Sequence, residues 1–288
     1  MNAPMSFSHE TSDRADFFLM LSRAFRTPID GEFFRAMQDF LADDIEAASR
    51  ELGLSLEGGL NELRQALSAL SGHEELLQAY SRLFLSPPVE APLNVGIYLD
   101  GGLMGGTVTA IEKYYARHGL AKNEGFRDLP DHLAVVLEFQ AMLLTLAAEA
   151  TETDPARSDQ LLAESQELQS DFLASWLPRL ADMAEDATAK HSLNPTYALL
   201  CRILSDSVVA WTETAEGKNN DGKRKGQARL DVPCALCGTP FINAPALRRL
   251  TLTLEAAGAS TEHLDVCPAC RDESMGFVKK SMPGLGRR

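Results

Sequence analysis

An all-α body followed by a small cysteine-bearing module is the architecture this sequence predicts, and three observations predict it. Apolar residues recur at three- and four-residue spacing through the first two hundred positions, and no stretch there alternates convincingly as a strand. Four of the five cysteines stand in two pairs near the C-terminus. At 288 residues, the chain has room for one large domain, or for a domain plus a small module. Its 45% hydrophobic and 24% charged content is ordinary for a globular protein and argues against global disorder.

Phe17, Phe18, Leu21 and Phe25 form the first helical stripe, with Ser12 as its expected cap. Thr27-Pro28 interrupts, and Phe33, Met37, Phe40, Leu41, Ile45, Ala48 and Leu52 form the next stripe, which Gly53 should stop. Leu60, Leu63, Leu67 and Leu70 make a shorter helix ending near Gly72. Another helix runs from about Glu74 through Leu77, Tyr80 and Phe84 to the Pro87-Pro88 break. Residues 86–106, rich in Pro and Gly, read as a long loop. Val108, Ile111, Tyr114 and Tyr115 mark a helix closed by Gly119. Pro130 is expected in the first turn of the next helix, with Asp131 beside the positive end of its dipole. That helix carries Leu133, Val136, Leu137, Gln140, Leu143, Leu144 and Ala147 until Thr151–Pro155 breaks it. Leu161, Leu162, Leu168, Phe172 and Trp176 follow, and Pro178 perturbs the path. The last long helix begins near Pro195 and holds Tyr197, Leu200, Ile203, Leu204, Val208 and Trp211. Cys201 falls on its apolar face as a small buried hydrophobe.

Three regions follow from these patterns. Residues 1–214 form the helical domain. Residues 215–230 (AEGKNNDGKRKGQARL) offer little to bury and read as a flexible basic linker. Residues 231–288 form the cysteine module and tail, with short β-compatible runs such as Leu250-Thr251-Leu252-Thr253-Leu254.

Cys234/Cys237 and Cys267/Cys270 are two C-x-x-C units. Two intervening residues let both thiolates of a pair face one tetrahedral centre, and Gly238 and Pro268 suit tight knuckle turns. One structural zinc per chain, in a zinc-ribbon-like module, is the expected occupant. A redox dithiol pair, an iron–sulfur cluster and disulfides remain alternatives, the last disfavoured in the cytoplasm. His263, four residues before Cys267, could replace one ligand.

Charge is unevenly spread. Residues 1–216 carry 15 Lys+Arg against 34 Asp+Glu, a balance of −19, while residues 217–288 carry 12 against 7, which leaves the whole at −14. So acidic a body repels nucleic acid and attracts basic ligands. No apolar run approaches the roughly 18–20 residues that cross a bilayer, so membrane insertion is not expected. The N-terminus lacks the pattern of a signal peptide, so the cytoplasm is the expected location. Asp100-Gly101-Gly102-Leu103-Met104-Gly105-Gly106 matches neither dinucleotide nor P-loop glycine patterns and reads as a flexible loop. No nucleophile or oxyanion-type feature accompanies His132, and His73, His118 and His191 fall near helix ends, so nothing argues for an enzyme.

Three segments carry a resemblance by their order: Tyr80-Ser81-Arg82-Leu83-Phe84-Leu85-Ser86-Pro87, Ile97-Tyr98-Leu99-Asp100, and Pro130-Asp131-His132 with Glu138-Phe139. Together with Phe172, Trp176, Pro178 and Tyr197, the chain over roughly residues 12–213 resembles the TorD/DmsD-type (NarJ-like) chaperones of molybdoenzyme maturation. The resemblance implies an all-helical fold, sometimes dimeric. It implies binding of a twin-arginine signal peptide and of the apo form of a molybdopterin oxidoreductase precursor, assisting cofactor insertion and export proofreading. Carried over by position, the peptide-binding candidates are Tyr80, Leu83, Phe84, Tyr98, Asp131 and His132. Leu129 replaces the usual acid before Pro-Asp-His, and the cysteine module is additional to the usual single domain. A zinc-containing protein-binding regulator and a redox-sensing adaptor are the readings from other classes.

Overall fold

The computed structural model describes residues 3–217 except 124, together with 232–256, 261, 264–267 and 270. The chain divides into two units, Met1–Arg224 and Lys225–Arg288.

The first unit opens with α1 (Ala3–Ala24), which begins well before Ser12, so that serine lies inside the helix and caps nothing. After a short link comes α2 (Gly31–Ala36), capped by Asp30, whose Oδ1 accepts from the backbone N–H groups of Glu32 and Phe33. A π-helical turn, Met37–Leu41, joins α2 to α3 (Ala42–Glu51). The wider turn rotates the apolar stripe out of register. Met37 and Leu41 are buried, but Phe40, expected on the same face, is 61% exposed.

Next come α4 (Glu57–Ala69) and α5 (His73–Phe84). The expected loop 86–106 contains a short helix, α6 (Val95–Leu99), and leads into α7 (Gly106–Arg117). Then α8 (Leu133–Ala150), α9 (Pro155–Gln169), a second π-helical turn (Ser170–Ala174), α10 (Leu177–His191) and α11 (Thr196–Gly217) complete the unit. Pro178 sits in the first turn of α10, where its missing N–H costs nothing, so it starts a helix and does not perturb one. Because α11 runs to Gly217, the first residues of the expected linker are helical; residues 218–230 of it lie outside the described residues.

The core is built around α8, which packs against α1 on one side and α9 on the other. Phe17 and Phe18 of α1 meet Trp211 of α11, both with ring centroids 5.3 Å away. Tyr80, Phe84 and Tyr197 form an edge-to-face cluster at 5.0–5.5 Å, and Tyr80 Oη donates to the Phe25 carbonyl. Contrary to the sequence expectation, one helix among the described residues, α8, is long and apolar enough to cross a membrane by length and composition. It is largely a core helix, with 56% of it buried within the protein.

In the second unit, β1 (Val232–Pro233) pairs antiparallel with β2 (Pro240–Ile242). The Leu250–Leu254 run expected to be extended lies instead in α12 (Ala244–Ala256). Asn243 starts that helix, its Oδ1 accepting from Ala246 N–H at 2.8 Å, and the Thr251 hydroxyl is satisfied by the Leu247 carbonyl at 3.0 Å. A strong cap outweighs a five-residue alternation.

Candidate functional site

Two constellations stand out, one in each unit. In the helical unit the first and third motif segments are each tied to the chain that leads into the second. Ala91 N–H donates to the carbonyl of Leu83 at 2.9 Å, which ties α5 to the loop that follows it. Two residues on, that loop pairs with the chain entering α8: Asn94 and His132 form an antiparallel bridge, Leu133 N–H donates to Leu93 O at 2.8 Å, and Val95 N–H donates to Asp131 O at 3.1 Å.

Asp131 closes this junction. Fully buried, its carboxylate accepts from Gly96 N–H at 2.8 Å on one oxygen and from Asn94 Nδ2 at 3.2 Å on the other. A Cβ on residue 96 would lie 3.0 Å from that carboxylate and 3.1 Å from the Gly102 carbonyl, so the close approach requires glycine. Burial pushes the Asp131 carboxyl above the ordinary aspartate range, and the Gly96 and Asn94 donors pull against that shift. Asn94 Nδ2 also donates to Asp128 Oδ1 at 3.1 Å.

The α8 N-cap is His132, not Asp131 or Pro130. Its Nδ1 accepts from Ala134 N–H at 3.2 Å, which leaves the proton of the neutral ring on Nε2, 4.0 Å from Asp128 Oδ2. Burial lowers the imidazole to about 4, against the pull of Asp128, and Phe126 packs on the ring edge at 5.2 Å. The neighbouring Tyr115 hydroxyl donates to Pro130 O at 2.9 Å.

Of the six residues the resemblance nominated for peptide contact, five are inside. Tyr80, Leu83, Phe84, Asp131 and His132 are each at most 5% exposed. Apolar burial and hydrogen-bond satisfaction put them there: a carboxylate with two protein donors gains nothing by facing solvent. Tyr98 is the half-buried member. It stacks on Trp176 at 4.6 Å, lies under the Arg179 guanidinium at 5.7 Å, and donates its hydroxyl to Pro92 O at 2.9 Å. Asn94, Gly96, Asp128 and Tyr115 were not nominated. Asn94, the single polar residue between Leu93 and Val95, was the available signal.

The glycine loop is also structural. Asp100 accepts from Thr107 N–H and Thr107 Oγ1, both at 2.8 Å, and so anchors the first turn of α7.

In the second unit, Cys234, Cys237, Cys267 and Cys270 come together, with all four sulfurs within 4.8 Å of one another. Four sulfurs bound to Zn²⁺ at about 2.3 Å would stand ~3.8 Å apart in a tetrahedron. Cys237 Sγ and Cys267 Sγ are 3.8 Å apart. The first knuckle turns at Gly238 (φ +71°), whose N–H donates to Cys234 O at 2.9 Å, and Ala235 N–H ties it to Asp265 O at 2.8 Å. Cys267 N–H, donating to Cys234 Sγ at 3.2 Å, helps lower that thiol to about 6. Crowding by the other sulfurs, Cys267 first, raises Cys270 to about 12. Four sulfurs this close together suit a metal-binding cluster. His263 and Pro268 lie outside the described residues. Cys201 is fully buried in α11, its thiol pushed up by desolvation.

Comparison with known proteins shows what the helical unit is similar to. The family model for the nitrate reductase delta subunit matches residues 49–182. A chaperone protein TorD of Psychrobacter sp. (strain PRwf-1) is 26% identical over 183 residues, covering 60% of this chain and 80% of the relative. The helical unit is similar to the TorD-type chaperones. A second TorD chaperone, from Vibrio vulnificus (strain YJ016), is 27% identical over 165 residues (54% of this chain, 76% of the relative). A third, from Vibrio cholerae serotype O1 (strain ATCC 39315 / El Tor Inaba N16961), is 30% identical over 140 residues (45% and 63%). All three motif segments lie within the residues matched by the nitrate reductase delta subunit model, whereas the cysteine cluster lies beyond residue 182 and takes no meaning from it.

Proposed function

We propose that this chain is a cytoplasmic redox-enzyme maturation chaperone. It binds the twin-arginine leader of a molybdopterin oxidoreductase precursor and holds the apoenzyme during cofactor insertion, before export. The observation that supports this most is that the residues leading into the Ile97–Asp100 motif tie the other two motif segments together, Leu83 through Ala91, and Asn94 and Gly96 to Asp131. The acidic body suits a ligand with two arginines. Tyr98, with Arg179 above it, is the motif residue positioned to touch a ligand, while Tyr80, Leu83, Phe84, Asp131 and His132 keep the junction rigid. In the second unit, one structural Zn²⁺ per chain is proposed on Cys234, Cys237, Cys267 and Cys270. Four thiolates leave no open position for catalysis, so the metal would supply folding free energy.

The test is calorimetric titration of the full chain with leaders of molybdopterin oxidoreductases encoded beside its gene. Saturable binding that weakens when both arginines become glutamine is expected. Failure of the wild type to bind any of these leaders overturns the chaperone reading.

A further inference from the structure

On the opposite side of α1 from α8 lies an open groove of about 700 Å³, walled by α1, α2, the first π-helical turn and α3. We propose that this groove receives the apolar helical stretch of a client's leader, with the leader's arginines at its acidic end; the proposal rests on the leader-binding reading above. The groove lies almost entirely before residue 49, so the family match does not assign it.

Its walls are apolar where a core would be expected to close. Leu19 and Met20 of α1 and Phe33 of α2 are half-buried, and Phe40 is 61% exposed because the π-helical turn aims it outward while Met37 and Leu41 face inward. Wider helical turns of this kind occur frequently at functional sites. A side chain of this size left 61% in water, on a wall that also shows Leu19 and Met20, forms a patch that a partner can cover.

Charge selects the partner. Asp13, Asp16, Asp44 and Glu51 line the groove against Arg23 and Arg50, and Arg50 is already paired with Glu46 at 3.3 Å. The short link between α1 and α2 makes the two arms antiparallel. That places Asp13, Asp16 and Glu51 at one end together with Arg50, whose charge is taken up by Glu46, and Arg23 with Phe33 at the other. A segment with an apolar helical face and arginines at one terminus matches this polarity. A uniformly acidic or uniformly apolar peptide does not.

The probe is a fluorescein-labelled synthetic peptide of two adjacent arginines followed by a leucine- and alanine-rich stretch, titrated into the full chain by anisotropy. Phe40→Glu, at an exposed position, should weaken binding at least about tenfold. Asp16→Lys should weaken it severalfold at low salt, with the difference fading at high salt. Met104→Ser, at a site 79% exposed and off the groove, should change nothing. Thermal midpoints of all three should match the wild type, which separates lost contact from lost fold. If the wild type binds but Phe40→Glu and Asp16→Lys bind equally well, the groove assignment is overturned and the chaperone reading stands. If Phe40→Glu instead converts a wild-type dimer to monomer in sedimentation with peptide affinity unchanged, the groove is a self-interface and the proposal also fails. If the wild type binds neither this probe nor any neighbouring leader, both readings fall.

Discussion

Asp131→Ala tests whether the carboxylate at the centre of the Pro130-Asp131-His132 motif is a clasp or a ligand contact. The substitution removes both acceptors of the junction and leaves two buried donors, Gly96 N–H and one arm of the Asn94 amide, without their partners. Each unsatisfied buried donor costs about 1–3 kcal/mol, and the charge is lost with its own desolvation cost, so the net loss is roughly 2–5 kcal/mol. For a unit of this size, about 2–4 °C of melting temperature per kcal/mol gives a drop of roughly 5–15 °C in thermal melts followed by circular dichroism. Asp131→Asn keeps one acceptor and should lose less. It should also expose the sign of the ionisation. Because burial raises the folded-state pKa, protonation of Asp131 favours folding. This stability is complete below the unfolded pKa and is lost as pH rises through the folded value. The advantage of wild type over Asp131→Asn should therefore grow as pH falls from 7 toward 4. An Asp131→Ala protein that melts with the wild type yet fails to bind leader would refute the clasp and return Asp131 to the ligand surface.

Further outcomes follow from other sites. His132, lowered to about 4 by burial, has the opposite sign: stability present above its unfolded pKa near 6.5 is lost as pH falls toward 4, at most about 3 kcal/mol. His132→Asn can still cap Ala134 N–H, so its urea midpoint should fall less steeply over that window; an equal slope would show that the imidazole is not held neutral. Gly105→Ala would drive its Cβ into the Asp100 carboxyl and break the anchor on Thr107, costing about 1–3 kcal/mol in denaturant melts. A variant as stable as wild type would show that the loop yields freely. Protein purified without added metal should contain about one zinc per chain by elemental analysis, and Cys234→Ser should reduce that content. An iron–sulfur chromophore would replace zinc with a cluster.

The sequence by itself determined which segments are helical and where most of them end, because stripes such as Phe17–Phe25 and Leu60–Leu70, and the Pro and Gly breaks, act within a few residues of chain. It also marked the four cysteines, whose spacing limits what they can hold. Tertiary structure decided what the marked residues do. Asp131 reads as a helix-start acid until Gly96, thirty-five residues earlier, offers an N–H at 2.8 Å, and only then does His132 become the cap. Phe40 reads as core because a regular helix would bury it with Met37. The wider turn that exposes it packs on α4, a contact that no local period encodes. Leu250–Leu254 alternates like a strand, yet Asn243 seeds a helix through it. Local periodicity thus sets the elements, whereas burial and hydrogen-bond satisfaction between distant segments choose which side chains become wall, clasp or surface.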